Sequence, residues 1–338
     1  MVSRWKASTR WIWNLSVMGT ACVLLLAAGL AFGAGRELLF EIKDPFGDDH
    51  GAGSLRYPTR SDLNPGDLDL LGLKAFRVKD ATLFRATFAR DIRSGEGEAI
   101  DGLGTPLNEV ARLGFYTLNI DLYIDTDRVP GAGNVTMLPG RKAEVAPPDA
   151  WEKVIVLTPR PDVLRNSLER LRLREWKEDE RRRRSVNRDE VKQERRRIRE
   201  ALQPLIYFPE RVVVRGRTID FYVPDAFFGG VPADAGWSYV VAVTGARIEQ
   251  RFELGGFGKY SRESFDGLVL PIVPGGDTEA FGGGEENDPL QPPLVDVLVP
   301  KNAPRTQEQI LGYYNSYEQQ PAQVPGVVPA ASTDNPYN

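Results

Sequence analysis

Cysteine and histidine are almost missing from this sequence: Cys22 and His50 are single occurrences in 338 residues. An intrachain disulfide needs two cysteines, so none forms, and zinc sites built from cysteine and histidine are excluded. A serine- or cysteine-nucleophile enzyme would have His50 as its only imidazole base. Positive charge is not in excess either. The 43 Lys and Arg against 47 Asp and Glu leave a net charge of −4, and a mildly acidic chain is unlike a nucleic-acid binder, which is normally basic over its domain. That total hides a segregation: Glu169 to Glu200 carries 14 basic and 9 acidic side chains, a net of +5, so the remainder stands at −9. Glycine and proline are plentiful, 33 and 25, which suits a fold rich in turns rather than a helical bundle. With 41% apolar residues the chain can build one large domain or two ordinary ones.

The one long apolar run is N-terminal. Trp11 to Gly35 contains no formal charge, with Arg4, Lys6 and Arg10 before it and Arg36, Glu37 and Glu41 after it. Spanning about 30 Å of hydrocarbon takes roughly 20 helical residues, so the run can cross a membrane. The positive-inside bias keeps its N-terminus cytoplasmic and exports the chain beyond Arg36. Two readings stand: an uncleaved inner-membrane anchor, or a signal peptide cut after small residues at Ala31-Phe32-Gly33, which would release the body. Cys22 lacks the preceding leucine of a lipoprotein motif, Gly19 standing there instead, and reads as a small apolar residue of the run. Residues 1–35 are thus expected to be an anchor or signal, and the body to be periplasmic or extracellular.

The body is expected to be mainly β, an antiparallel β-sandwich over residues 36–316. Thr82 to Arg90 alternates, and Tyr116, Leu118, Ile120, Leu122 and Ile124 share a face opposite Phe115, Thr117, Asn119, Asp121 and Tyr123. One buried and one wetter face is the pattern of an antiparallel sheet. Further strand candidates are 154–158, 212–215, 218–223, 237–243, 267–273 and 295–299, separated by glycine, proline, asparagine and aspartate clusters. An insertion at 162–203 has helix formers throughout, with Leu164, Leu168, Leu171 and Trp176 as an apolar stripe and Asn187 to Glu190 as a capping box. It is expected to be a helical hairpin with Arg181 to Arg184 near its turn. The polar, proline-bearing stretch 317–338 is expected to be disordered.

The densest chemical signal is Phe40-Glu41-Ile42-Lys43-Asp44-Pro45-Phe46-Gly47-Asp48-Asp49-His50-Gly51-Ala52-Gly53, followed by Tyr57-Pro58-Thr59. Asp44, Asp48 and Asp49 lie within six residues on a bent loop and repel one another unless a cation or backbone donors neutralise them. Calcium takes several oxygen ligands from flexible loops, although this spacing is not that of an EF-hand. An ordinary acidic turn bonded to its own N–H groups is the other reading.

This run, with Pro65-Gly66-Asp67-Leu68-Asp69-Leu70 downstream, resembles the opening of the C-terminal, DOMON-like domain of glucodextranase. Leu122 to Asp127, Leu138 to Arg141, Trp151, Gly236 to Tyr239, Asp296-Val297-Leu298 and Gln309-Ile310-Leu311 fit the same pattern, so the likeness spans about residues 38 to 315. The charged hairpin departs from it. The resemblance implies a β-sandwich related to carbohydrate-binding modules, attaching an enzyme to polysaccharide or cell surface. It does not imply glucodextranase activity, since that catalytic domain is a separate, larger barrel. By analogy it implies metal at Asp44, Asp48 and Asp49, with calcium as the ion.

A sugar platform would stack aromatic faces on pyranose rings beside polar groups. Tyr123 and Phe115 with Asn119 and Asp121 on the wetter face are candidates, as are Trp237, Trp151 and Tyr239, with a core role the alternative for each tryptophan. DOMON relatives can bind haem, but only His50, Met1, Met18 and Met137 could ligate iron. No local motif nominates a glycosidase carboxylate pair, and Gly255-Gly256-Phe257-Gly258 and Gly282-Gly283-Gly284-Glu285-Glu286 read as turns rather than phosphate loops. The expected function is a non-enzymatic, membrane-tethered module that binds an envelope glycan. The alternative is an envelope scaffold that meets a protein partner through 162–203. Nucleic acid is not an expected partner.

Overall fold

Alternating apolar residues, broken by glycine and proline turns, fold here into two five-stranded sheets and one two-stranded sheet. The computed structural model describes residues 36–99, 106–248 and 267–330. The first strands are β1 (Glu37–Lys43), β2 (Leu70–Val78) and β3 (Ala81–Phe88), followed by a short helix, α1 (Leu107–Val110). Next come β4 (Leu118–Asp125), β5 (Ala143–Val145) and β6 (Lys153–Leu157). Helices α2 (Pro161–Arg181) and α3 (Arg188–Leu202) form the hairpin. After it run β7 (Ile206–Tyr207), β8 (Val212–Arg215), β9 (Thr218–Pro224), β10 (Ser238–Gly245) and β11 (Asp296–Val297). Helix α4 (Gln307–Leu311) and β12 (Ala322–Val324) complete the fold.

Sheet one has the order β1-β2-β3-β9-β8 and sheet two the order β11-β10-β4-β6-β7. Their facing sides share one core, in which Phe40, Phe84, Phe88 and Phe221 meet Ile120, Leu122, Tyr239 and Val241. The rings of Phe40 and Tyr239 lie 4.7 Å apart across the gap. Each such side chain contributes about 1.5–3 kcal/mol by leaving water, so this interior is what makes the two sheets a sandwich. Gly72 shows how closely β1 and β2 approach. Its φ is +146°, and a side chain there would collide with the Ile42 carbonyl oxygen.

Three expectations are corrected. The wetter face of β4 does not exist, because all eight of its residues are buried. A second core covers the outer side of sheet two, where Tyr123, Val154, Val156 and Val240 pack with Val145, Leu164, Leu168, Ile310, Leu311 and Val324. The sheets are also not purely antiparallel: β7 runs parallel to β6 and β12 parallel to β5. The 317–338 tail, expected to be disordered, instead supplies β12 with Ala322 and Val324 buried, and Val327 exchanges backbone hydrogen bonds of 2.9 Å with Tyr239. Its last part, 331–338, lies outside the described residues. So do the apolar run at 11–35 and the glycine turn at 255–258. Among the described residues no helix is long and apolar enough to cross a membrane. The 267–273 candidate makes only isolated bridges through Val269 and Ile272.

The hairpin forms where its helix formers place it, although of the expected stripe only Leu164 and Leu168 enter the core, Leu171 and Trp176 staying half-buried. Asn187 caps α3 by accepting from the Asp189 and Glu190 amides while the Glu190 side chain returns to the Asn187 N–H. Leu164 and Leu168 root α2 in the second core, whereas α3 buries no residue. Arg199 grips Glu169 with two bonds of 2.8 and 2.9 Å, fastening the pair to each other.

Because β12 completes the second core, Val324→Ala should cost about 2 kcal/mol in urea denaturation. Truncation after Tyr317 should lower the melting temperature further. An unchanged melt in the truncated chain would mean that β12 contributes no stability.

Candidate functional site

Two of the three predicted metal residues converge, and the third does not. Asp44 follows β1, the chain bends through Pro45 and Gly47, and Asp48 then faces back toward it. Asp296, on β11 at the edge of sheet two, joins them: one carboxylate oxygen from each of the three lies within 4.8 Å of the others. Asp49 is turned elsewhere, accepting from the Tyr57 hydroxyl and, at 2.6 Å, from the Gly66 amide. Both donors reach its Oδ2, and Asp49 is not among the carboxylates that converge.

The trio is held by backbone donors on one side only. Asp44 Oδ1 accepts from the Val299 amide at 2.7 Å and Asp296 Oδ2 from the Leu70 amide at 2.6 Å. Asp69, just before β2, accepts from the Gly47 amide at 2.8 Å and so holds the bend. The opposite oxygens, Asp44 Oδ2, Asp48 Oδ1, Asp69 Oδ1 and Asp296 Oδ1, are buried without a hydrogen-bond partner. Gln307 of α4 braces the loop behind them, donating to the Asp48 and Gly51 carbonyls while accepting from the Val297 amide.

Burial in this acidic surrounding opposes ionisation. Desolvation and then the Asp48 charge push Asp44 up to about 9. Desolvation lifts Asp48 to about 6 and Asp69 to about 6. Asp296, fully enclosed, is held well above the carboxylate range by burial and then by Asp44 and Asp48. The arrangement fits a hard cation taken up by oxygen donors. His50 is outside the trio, its Nε2 paired with Glu308 Oε1 at 3.0 Å.

A second acidic group, Asp125, Asp127 and Glu152, also lies within 4.8 Å. One oxygen of each is used: Asp125 Oδ1 accepts from the Asp127 and Arg128 amides, Asp127 Oδ1 from Val129, and Glu152 Oε2 from Thr126. Glu152 Oε1 is buried without a hydrogen-bond partner, but Asp127 is exposed, so this group is a surface turn rather than an enclosed cluster.

The expected sugar platform is corrected. Phe115, Asp121 and Tyr123 are at most 1% exposed, so none can lie under a sugar ring. Phe115 sits in the core between the sheets and Tyr123 in the core behind sheet two. Asp121 instead neutralises Arg141, itself 0% exposed, through bonds of 2.5 and 3.0 Å, and Arg141 also donates to the Gly267 carbonyl at 2.8 Å. Trp237 is half-buried against Phe228, with rings 5.3 Å apart, and does not approach Tyr123, because it packs on the opposite side of sheet two. Trp151 is core, as its alternative reading held.

Sequence patterning missed an open cleft of about 500 Å³ lined by Ser61, Asp62, Asp67, Arg90, Arg93, Glu98 and Tyr116. Arg60 holds Asp62 at 2.6 and 2.7 Å. Behind the wall Asp67 pairs with Arg93 at 3.4 Å and Arg90 at 4.0 Å, while Arg93 Nε and Asp67 Oδ1 are buried without a hydrogen bond. These residues are scattered over about sixty positions with no shared period, and nothing in the sequence draws them together. Asp296 did leave a trace, as a lone carboxylate inside the apolar run Leu294-Val295-Asp296-Val297-Leu298.

Fold and site together define a β-sandwich module with a buried acidic cluster and a polar cleft. The chain belongs to the family described as the C-terminal binding module, SLH-like, of glucodextranase, whose model matches residues 39–327. That family is the binding module, not the catalytic domain of glucodextranase. No curated protein matches the chain.

Arg141→Met would leave Asp121 charged and enclosed, and should cost about 3–5 kcal/mol. Asp121→Leu combined with Arg141→Met should recover most of it. Chemical denaturation of the two variants checks both outcomes, and equal losses would mean the pair does not neutralise itself.

Proposed function

We propose that this chain is an extracytoplasmic glycan-binding module, tethered through its N-terminal apolar run, without catalysis of its own and with calcium as a structural ion. Membership of the binding-module family over residues 39–327 carries this reading. The charge-free run of residues 11–35 supports the tether. The ligand is an envelope polysaccharide, and the cleft beside Arg93 and Asp67 is where it binds. A sugar diol both donates and accepts hydrogen bonds, which suits a wall that carries guanidinium groups at Arg90 and Arg93 and carboxylates at Asp62 and Glu98. Guanidinium and carboxylate pairs with Tyr116 alongside give such a ligand directional partners.

The full chain should be retained on glucan or cell-wall fractions, and Arg93→Ala with Asp62→Asn should abolish retention while the chain still unfolds cooperatively, at a melting temperature lowered by the lost Asp67 and Arg60 pairings. Failure of the folded protein to bind any glucan or wall fraction would overturn the reading.

One observation favours a second reading, an envelope scaffold. Helix α3 buries no residue, and the end of the hairpin gathers Lys177, Arg181, Arg188, Lys192 and Arg195 around a shallow groove. Such a surface suits an acidic protein partner. Replacing 162–203 by a short glycine-serine linker should then release co-purifying protein while glycan retention survives. Loss of retention with no loss of partners would exclude the scaffold.

A further inference from the structure

We propose that Asp44, Asp48 and Asp296 bind one Ca²⁺ that clasps the two sheets of the sandwich together at one end. The inference deepens the calcium part of the reading above and is independent of glycan binding.

Three features of the site argue for it. First, the three oxygens lie within 4.8 Å of one another, and two ligands on opposite sides of a calcium ion stand about 5 Å apart at Ca–O distances of 2.3–2.6 Å. Second, Asp296 is 0% exposed and its Oδ1 is unpartnered, as are Asp44 Oδ2 and Asp48 Oδ1. A buried carboxylate oxygen without a donor is expensive, and carboxylates that converge hold either a proton between them, as in the Asp44–Asp296 hydrogen bond, or a cation in its place. Third, the strongest charges acting on Asp44 and Asp296 are other carboxylates, and none of the ion pairs recorded among the described residues includes any member of the trio. At Asp121 the protein supplies a full guanidinium through Arg141, whereas here, among the described residues, the only cationic side chain acting on the trio is His50, which faces Asp48 and is itself paired with Glu308.

The donor set selects the ion. All donors are hard oxygens, which disfavours zinc, copper and other ions that prefer nitrogen or sulfur. Magnesium demands a near-ideal octahedron and keeps its waters, whereas calcium accepts irregular carboxylate sets drawn from loops. The position selects the role. Asp44 leaves β1 of sheet one and already holds the Val299 amide just beyond β11, while Asp296 of sheet two holds the Leu70 amide of β2. Each sheet thus anchors a carboxylate of the other, and a cation between them locks that exchange. Asp48 brings the loop that Gln307 braces into the same clasp.

The full-length chain is stripped with chelator and titrated with Ca²⁺ by calorimetry, with Tb³⁺ luminescence as a second readout. One equivalent should bind, and the melting temperature should rise with calcium by mass action. Asp296→Asn and Asp44→Asn should lose that equivalent and the calcium-dependent rise, whereas Asp49→Asn and Asp127→Asn should keep both. In chelator Asp296→Asn should still unfold cooperatively at a melting temperature near the wild type's, which separates loss of the ion from loss of the fold. A wild-type melt indifferent to calcium, calcium uptake that survives in Asp296→Asn, or tighter binding of Mg²⁺ than of Ca²⁺ would each overturn it. Calcium binding without glycan retention would defeat the glycan reading alone, and retention without calcium binding would defeat this one alone.

Discussion

Strand β4 is enclosed on both faces, and much of the molecule is arranged to make that possible. One side meets sheet one through Ile120, Leu122 and Ile124, and the other meets β5, β12, α2 and α4 through Tyr123. A strand with no solvent face must satisfy every polar side chain internally, since an unpaired one forfeits its hydration with nothing in return. Asp121 does so with Arg141, and the Asn119 amide nitrogen donates to Thr244 and the Leu268 carbonyl at 3.0 and 3.1 Å, although Asn119 Oδ1 is left without a hydrogen-bond partner. The same enclosure recruits the C-terminal segment as β12 and roots the hairpin through Leu164 and Leu168. Hydrophobic area is the driving force, and polar pairing is the condition it imposes.

The acidic end of the sandwich obeys the same rule with a different outcome. Asp44, Asp48 and Asp296 are gathered as firmly as Asp121, by amides of β2, of the chain beyond β11 and by the Gln307 brace. Their inner oxygens meet only one another. Where β4 resolves a buried charge with a guanidinium, this end gathers carboxylates that burial and one another keep from ionising. The same residue type is thus accommodated in two different ways within one chain.

Surface chemistry is divided among separate places. The cleft at Arg93 and Asp67 mixes donors and acceptors, and the hairpin end is cationic. Neither depends on the enclosed aromatic residues of the sandwich, which serve packing. A binding module can therefore keep its interior constant while its loops carry recognition.

The alternation at 82–90 and 116–124, the helix formers of 162–203 and the Asn187 capping box are local signals, and local signals were enough to place β3, β4 and the hairpin. The acidic loop at Asp44 and Asp48 was legible for the same reason: like charges crowded within a few residues need neutralising wherever they lie. Family membership was legible as well, because motifs are contiguous. Tertiary structure alone decided the rest. Alternation marks two faces but cannot say that a second layer covers the wet-looking one, so Tyr123 and Asp121 read as a platform until β5, β12 and α4 were seen to bury them. Asp296 could be known as a partner of Asp44 only once the chain had returned over some 250 residues to set β11 beside β10 and its end beside β1. Sequence determined which stretches alternate and which carry charge; folding decided which charges meet, because burial and long-range proximity are properties of packed layers and not of neighbours along the chain.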